Sequence, residues 1–251
     1  AIDREVASSL HMSHMGCSSL PEALVKQSIR CGMADGWGGS MMGTEFSDVL
    51  FGTPKPIETE ANLGVMVEEN VNIVVHGHDP SLSEMICEFA DDPEMIAYAK
   101  EMGAKGITVS GVCCTSNEVA MRRGIPMAGN FLQQENVVLT GACEAIVVDV
   151  QCIFPALGPL SKCFHTKFVT TSPIAQMPDS EFIRFNAETA GENAKAIVKM
   201  AIDNFKNRKP ELVHIPQLKQ KATVGYSLEA IVKVLDGVTN SQVDELGTTK
   251  P

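Results

Sequence analysis

Two histidines and two cysteine sites each stand directly after a run of β-branched residues. They are His76 and His78 in VNIVVHGHDP, Cys113 and Cys114 in GVCC, and Cys152 in DVQC. In an open α/β sheet, ligands collect at the carboxyl ends of the strands. An imidazole with thiolates at three such ends suits a soft iron, nickel or zinc centre. A ligating histidine needs a second group to fix its tautomer, and one of the two imidazoles could instead serve only the helix that begins at Asp79. Cys113 and Cys114 are adjacent, so in extended backbone their side chains point opposite ways; at most one faces a given site while the other packs. Three ligands leave a centre incomplete, and no CxxC pair supports a zinc ribbon or a ferredoxin-type cluster. Cys17, Cys31, Cys87, Cys143 and Cys163 read as small buried hydrophobes.

Other chemistries lack a starting point. There is no Walker A loop, no GxSxG elbow and no HExxH, and Gly36, Gly38 and Gly39 do not have dinucleotide-fingerprint spacing. Glu118, near Cys114, reads either as an acid or base or as a solvated helix residue.

The elements that must position these residues follow from the pattern. Residues 1 to about 55 read as helical: Ser19 and Glu22 have capping-box spacing, Pro21 lies in a first turn, and Leu24, Val25 and Ile29 form an apolar stripe ending at Gly32. The glycines around Trp37 in residues 34–56 predict tight turns, on both sides of a short helix, that let the indole pack. Beyond residue 60, strands alternate with helices. Strands are predicted at 71–75, 106–112, 137–140, 145–150 and 167–171, with helices after Asp79–Pro80, after Asp92–Pro93 as far as Gly103, from Cys113 to a cap at Gly124, and over 186–205. Such alternation predicts a doubly wound, mostly parallel Rossmann-like α/β sheet preceded by a short helical segment. Residues 226–235 read as a further helix.

Composition narrows the function classes. The 251 residues carry a net charge of −11 and 44% hydrophobic residues. An acidic chain without clustered lysine and arginine is not built for nucleic acid or an anionic membrane. The basic run 206–209 reads as a helix C-terminus. No apolar stretch reaches the roughly 20 residues that cross a bilayer, and no signal peptide opens the chain, so a cytoplasmic location is expected. Eight cysteines without a secretory signal favour reduced thiols or metal ligands over disulfides. A start at Ala1 inside predicted helix suggests a piece of a larger protein.

ADGWGG, DVLFGTPKP, EANLGV, VHGHDP, GVCCTSNEVAMRRGIP and VVDVQCIFPAL follow one another in this chain. Their order and wording resemble the anaerobic nickel-iron-sulfur carbon monoxide dehydrogenases, whose catalytic subunits also occur in complexes with acetyl-CoA synthase. The resemblance covers essentially the whole chain and implies a middle segment: residues 1–57 as the end of a helical domain, 58–222 as a Rossmann-like domain carrying cluster ligands, and 223–251 as a helix and linker toward a second such domain. It implies reversible oxidation of CO with water to CO2, two electrons and protons at a nickel-4Fe-4S cluster. His78 and Cys114 would hold the pendant iron, and Cys152 would bind an iron of the cuboidal part. Further 4Fe-4S clusters, the remaining ligands, a homodimer partner, a ferredoxin-like acceptor and an acetyl-CoA synthase subunit would lie outside this stretch, which alone is expected to be inactive. A hybrid-cluster, hydroxylamine-reductase-like enzyme and a non-catalytic α/β scaffold are the other readings.

Overall fold

The computed structural model describes residues 2–225. The expected helix at 226–235 lies outside them. The chain divides into two compact units with the boundary between Thr53 and Pro54.

The first unit is helical, as its sequence predicts, but its details differ. Helix α1 (Ile2–Ser13) is followed by α2 (Pro21–Asp35), whose N-cap is Leu20 with no side-chain cap bond; Pro21 at the first position does the starting, in place of the Ser19–Glu22 box. Gly32 does not end α2. The helix runs on into a π-helical turn over Gly36–Met41, where the Met42 N–H reaches the Trp37 carbonyl, and then into α3 (Met42–Phe51). The expected tight turns are thus widened helical turns, which admit an extra residue per turn without breaking the helix. Trp37 is 57% exposed, and Val25 and Ile29 of the predicted stripe are exposed as well.

A buried polar node joins α1 to α2. The Gln27 amide donates to the Glu5 carbonyl at 3.0 Å and to its carboxylate at 3.2 Å, and Arg30 donates to Glu5 Oε1 at 2.8 Å. The Arg30 guanidinium holds the Glu5 carboxyl down to about 2 from 4.5. A carboxyl depressed in the folded state adds stability above its unfolded value and loses it as pH falls from about 4.5 to about 2. A carboxyl-carbon NMR titration should place the Glu5 midpoint near 2, and Arg30→Gln should move it up; a parent midpoint above 4 would contradict the node.

The second unit is a three-layer α/β/α arrangement. In chain order it contains β1 (Ile57–Ala61), β2 (Val71–Gly77), α4 (Pro80–Ala90), α5 (Pro93–Glu101), β3 (Ile107–Val112), α6 (Cys113–Arg123), β4 (Met127–Gly129), α7 (Gln134–Leu139), β5 (Ala145–Val148), α8 (Leu157–Cys163), β6 (Lys167–Thr170), β7 (Glu181–Phe182), α9 (Ala190–Asn204) and β8 (Gln220–Val224). The sheet order is β7-β6-β5-β2-β3-β4-β1-β8, parallel except for β8 against β1. Among the described residues eight strands stand where five were expected, because β1, β4, β7 and β8 are short or polar and carry little of the period that marks a strand.

Period-two alternation along β2 feeds two cores. Val71, Ile73 and Val75 pack with α4, α5, α6 and α9, while Val74 packs with Val137, Val138 and Leu157 of α7 and α8. The predicted helix starts hold: Asp79 and Asp92 cap α4 and α5 through the N–H groups of Ser81 and Glu94, and α6 ends at Gly124 with φ 73°.

The predicted strand 137–140 is a correction. Asn130 and Gln133 form a reciprocal capping box that launches a helical turn, which continues into α7 and buries Val137 and Val138 against the sheet. A four-residue apolar run cannot by itself be told from one buried helix face. Among the described residues no helix is long and apolar enough to cross a membrane.

Candidate metal centre

Strand β2 lies between β5 and β3, and the chain runs from β2 toward β3 on one side while β5 pairs on the other. That is a topological switch point, where an open sheet leaves a crevice beyond its carboxyl ends. His78 follows β2, Cys113 and Cys114 follow β3, and Cys152 follows β5.

Ligand atoms of His78, Cys113 and Cys152 all lie within 4.8 Å of one another, and His78 Nε2 is 3.9 Å from Cys152 Sγ. Donors on a tetrahedral ion, with metal–sulfur near about 2.3 Å and metal–nitrogen near about 2.0 Å, sit roughly 3.5 Å apart. The cluster is therefore close to ligation spacing. Cys114 is exposed in the first turn of α6 and lies outside this group. One cysteine of the pair is gathered here, Cys113, but not through strand alternation, because β3 ends at Val112 and both cysteines lie at the start of α6.

Local backbone explains the convergence. Cys113 has φ 69°, a left-handed conformation that breaks the strand and turns its thiol toward the β2 end, where Gly77 and Cys113 form an isolated parallel bridge. Gln151 and Cys152 are also left-handed, at φ 65° and 58°. Non-glycine residues hold such conformations, at about 1–3 kcal/mol each, only where surrounding contacts fix them, and they gather at functional sites.

Gln134 supplies one such contact. Its buried amide donates to the carbonyls of Phe131 at 2.6 Å and Cys152 at 2.9 Å, and its oxygen accepts from the Phe154 N–H at 2.8 Å. The same oxygen faces His76 Nε2 at 3.1 Å, so that nitrogen carries the proton. His76 is thus a β2 side chain on the α7 face, separate from the gathered ligands, and burial lowers its pKa. Thr115 ties α6 to α4 by donating to Ser83 Oγ at 2.8 Å and to the Asp79 carbonyl at 3.2 Å.

Asp149 accepts from the His78 N–H at 2.7 Å, from the Asp79 N–H at 2.9 Å and from its neighbour Val150. Burial pushes its carboxyl up to about 7 against the pull of these N–H groups. Burial also pushes the Cys113 thiol up to about 12, with the neighbouring thiols adding to the effect. A bound metal ion would deprotonate such a thiol outright. A cavity of about 280 Å³ opens beside Cys113, with Asn62, Asn117, Asn130, Gln133 and Gln220 among its residues and no charged side chain in its lining.

Of the other sequence candidates, Glu118 is paired with Arg122 at 2.9 Å along α6. Cys87 and Cys143 are buried as expected, but Cys31 is half-buried, and Cys17 and Cys163 are exposed. Sequence reasoning missed Gln134, which sat beside a supposed strand, and Asp149, whose only signal was a carboxylate interrupting the run IVVDV.

The donor set of imidazole and thiols, with His78 Nδ1 buried and without a hydrogen-bond partner among the described residues, fits a soft iron, nickel or zinc centre. The chain is similar to several known proteins. Carbon monoxide dehydrogenase 1 of Methanosarcina mazei is 50% identical over 245 residues, covering 98% of this chain and 39% of that protein. A solved nickel-free carbon monoxide dehydrogenase from Thermococcus sp. AM4 is 53% identical with a TM-score of 0.90, covering 98% of this chain and 39% of the other. A solved acetyl-CoA synthase/carbon monoxide dehydrogenase, described with NiZn[Fe4S4] and NiNi[Fe4S4] clusters, is 44% identical with a TM-score of 0.87 over 96% of this chain and 36% of its own. The chain thus spans about two fifths of the relatives it matches. Residues 1–243 match the Prismane/CO dehydrogenase family, to which the chain belongs.

Proposed function

We propose that this chain supplies part of the active site of a carbon monoxide dehydrogenase that reversibly oxidises CO with water to CO2, two electrons and protons. The observation that carries the reading is the meeting of His78 with cysteine thiols at three neighbouring strand ends. His78 and Cys152 of that group are proposed as ligands of a nickel-4Fe-4S cluster together with Cys114, which the motif resemblance implies, while Cys113 is the thiol gathered with His78 and Cys152. When bound, that cluster supplies the redox chemistry and activates water.

The chain's own residues hold and enclose. His78 offers an imidazole nitrogen fixed through its backbone, the thiols give up protons as metal enters, and Gln134 keeps the Cys152 turn in its left-handed form. The amide-lined cavity beside Cys113 suits small uncharged molecules and water. Three ligands do not complete such a cluster, so the remaining ones, and further 4Fe-4S clusters, come from outside this stretch. On this reading the isolated 251 residues are inactive. A homodimer, a ferredoxin-like acceptor and an acetyl-CoA synthase subunit are the partners proposed, the last supported by the acetyl-CoA synthase/carbon monoxide dehydrogenase neighbour.

Iron content and CO-dependent viologen reduction test the assignment. In the nickel- and iron-loaded longer enzyme that carries this stretch, Cys114→Ser should lose most activity together with iron, and Cys113→Ser should keep most of its iron. The reverse order would move the ligand role to Cys113. A loaded parent that reduces no viologen with CO would refute the function.

A further inference from the structure

Among the described residues the His78 side chain has no hydrogen bond to orient it from behind: its Nδ1 is buried and has no partner there. Ligating imidazoles are ordinarily fixed by a partner on the far nitrogen. Here the backbone must do that work. The His76–Asp79 turn is gripped from the β5 side at three points. The Asp149 N–H donates to the His76 carbonyl at 3.2 Å, and the Asp149 carboxylate accepts from the N–H groups of His78 and Asp79. Asp79 separately caps α4 through the Ser81 N–H, so its own backbone N–H is left for Asp149.

Gly77 makes the grip possible. Its φ is 125°, and a Cβ there would stand 1.8 Å from Asp149 Oδ1. Only glycine both adopts this conformation freely and leaves room for the carboxylate. Asp149 is also three residues before Cys152, within the turn that holds the left-handed Gln151 and Cys152. One carboxylate thereby joins the turn that carries the histidine to the turn that carries the cysteine.

We propose that Asp149 is a positioning residue for His78: by collecting the N–H groups of the 76–79 turn it sets the imidazole against Cys152. The proposal rests on the metal-site reading. Asp149→Asn keeps the size of the side chain, but its amide group has one acceptor oxygen where the carboxylate had two, so one of the gripped N–H groups loses its partner.

The test is an anaerobic titration of the metal-free, reduced full chain with Co(II) alone, followed by the thiolate-to-cobalt charge-transfer and ligand-field bands, beside thermal melts. Asp149→Asn should weaken Co(II) binding about 10–100-fold, the range for groups that support a ligand without touching the metal, and should shift the ligand-field band. Asn204→Ala is the control. Asn204 donates to the carbonyls of Glu144 and His165, beside the starts of β5 and β6, so its loss should lower the melting temperature and leave Co(II) affinity intact. If Asp149→Asn does not fold, Gly77→Ala disturbs the same contact from the other side and carries the same expectation. Parental affinity in the Asp149 variant, or equal loss of affinity in the control, overturns the proposal. No Co(II) band in the parent would overturn the metal-site reading, and the proposal with it.

Discussion

Replacing His78 by alanine is expected to abolish CO-dependent viologen reduction in the metal-loaded longer enzyme that this stretch is proposed to belong to, with a loss beyond about 100-fold. Groups that only support a ligand cost 10–100-fold, so removal of a ligand must exceed that range. Iron content should fall with activity, while the fold survives, because His78 is half-buried beyond the strand end and, among the described residues, its side chain meets only the exposed Cys152 thiol, at 3.9 Å, as a hydrogen-bond partner. His76→Ala gives the contrast. That imidazole lies 1% exposed against Gln134, whose oxygen keeps the Phe154 N–H when His76 is removed. The cost there should fall on stability, about 2 kcal/mol for an emptied core position, with most activity retained per folded molecule. Equal loss of activity in the two variants would remove His78 from the ligand set.

A stability effect of comparable weight is expected at the opposite end of the same sheet. Glu144, fully buried, accepts from His165 at 2.8 Å, from Arg208 Nε at 2.8 Å and from the Asn72 N–H at 2.6 Å. Arg208 further donates to the carbonyls of Glu68, Asn70 and Ala142. Arg208→Met strips the buried carboxylate of its permanent cation and orphans those carbonyls, which should cost about 3–5 kcal/mol, or about 10 °C of melting temperature for a chain of this size. Adding Glu144→Gln should recover part of the loss, because the uncompensated charge goes with it. Both variants should bind metal as the parent does: a four-residue strand places this node about 13 Å from the site. A melting temperature within about 2 °C of the parent for Arg208→Met would mean the node is not what fixes the loop after α9.

The parts of the fold that were legible in the sequence are those where one local rule acts without competition. The run 71–75 reads as a strand covered on both faces and is one. Asp-Pro pairs at 79–80 and 92–93 start helices, and Gly124 ends one. What stayed hidden depends on tertiary context. Val137 and Val138 have strand composition, but the Asn130–Gln133 box starts a helix beneath them. Arg208 reads as one more residue of a basic helix end, yet it folds back under the sheet to meet a glutamate 64 positions earlier. At the site, the three strand ends were visible as residues, and their adjacency follows from the strand order. The left-handed turn at Cys113 was not visible, since nothing in GVCC announces a positive φ. Asp149 and Gln134 were missed for the same reason: their hydrogen bonds reach backbone groups of other elements, and such partners leave no sequence spacing.

Diffraction from the metal-loaded protein, with data on both sides of the iron and nickel absorption edges, tests the metal centre most directly. An iron anomalous peak within bonding distance of His78 and a second within bonding distance of Cys152, with nickel in the same cluster, is the predicted result. Loaded protein whose iron and nickel peaks lie away from His78 and Cys152 would contradict it.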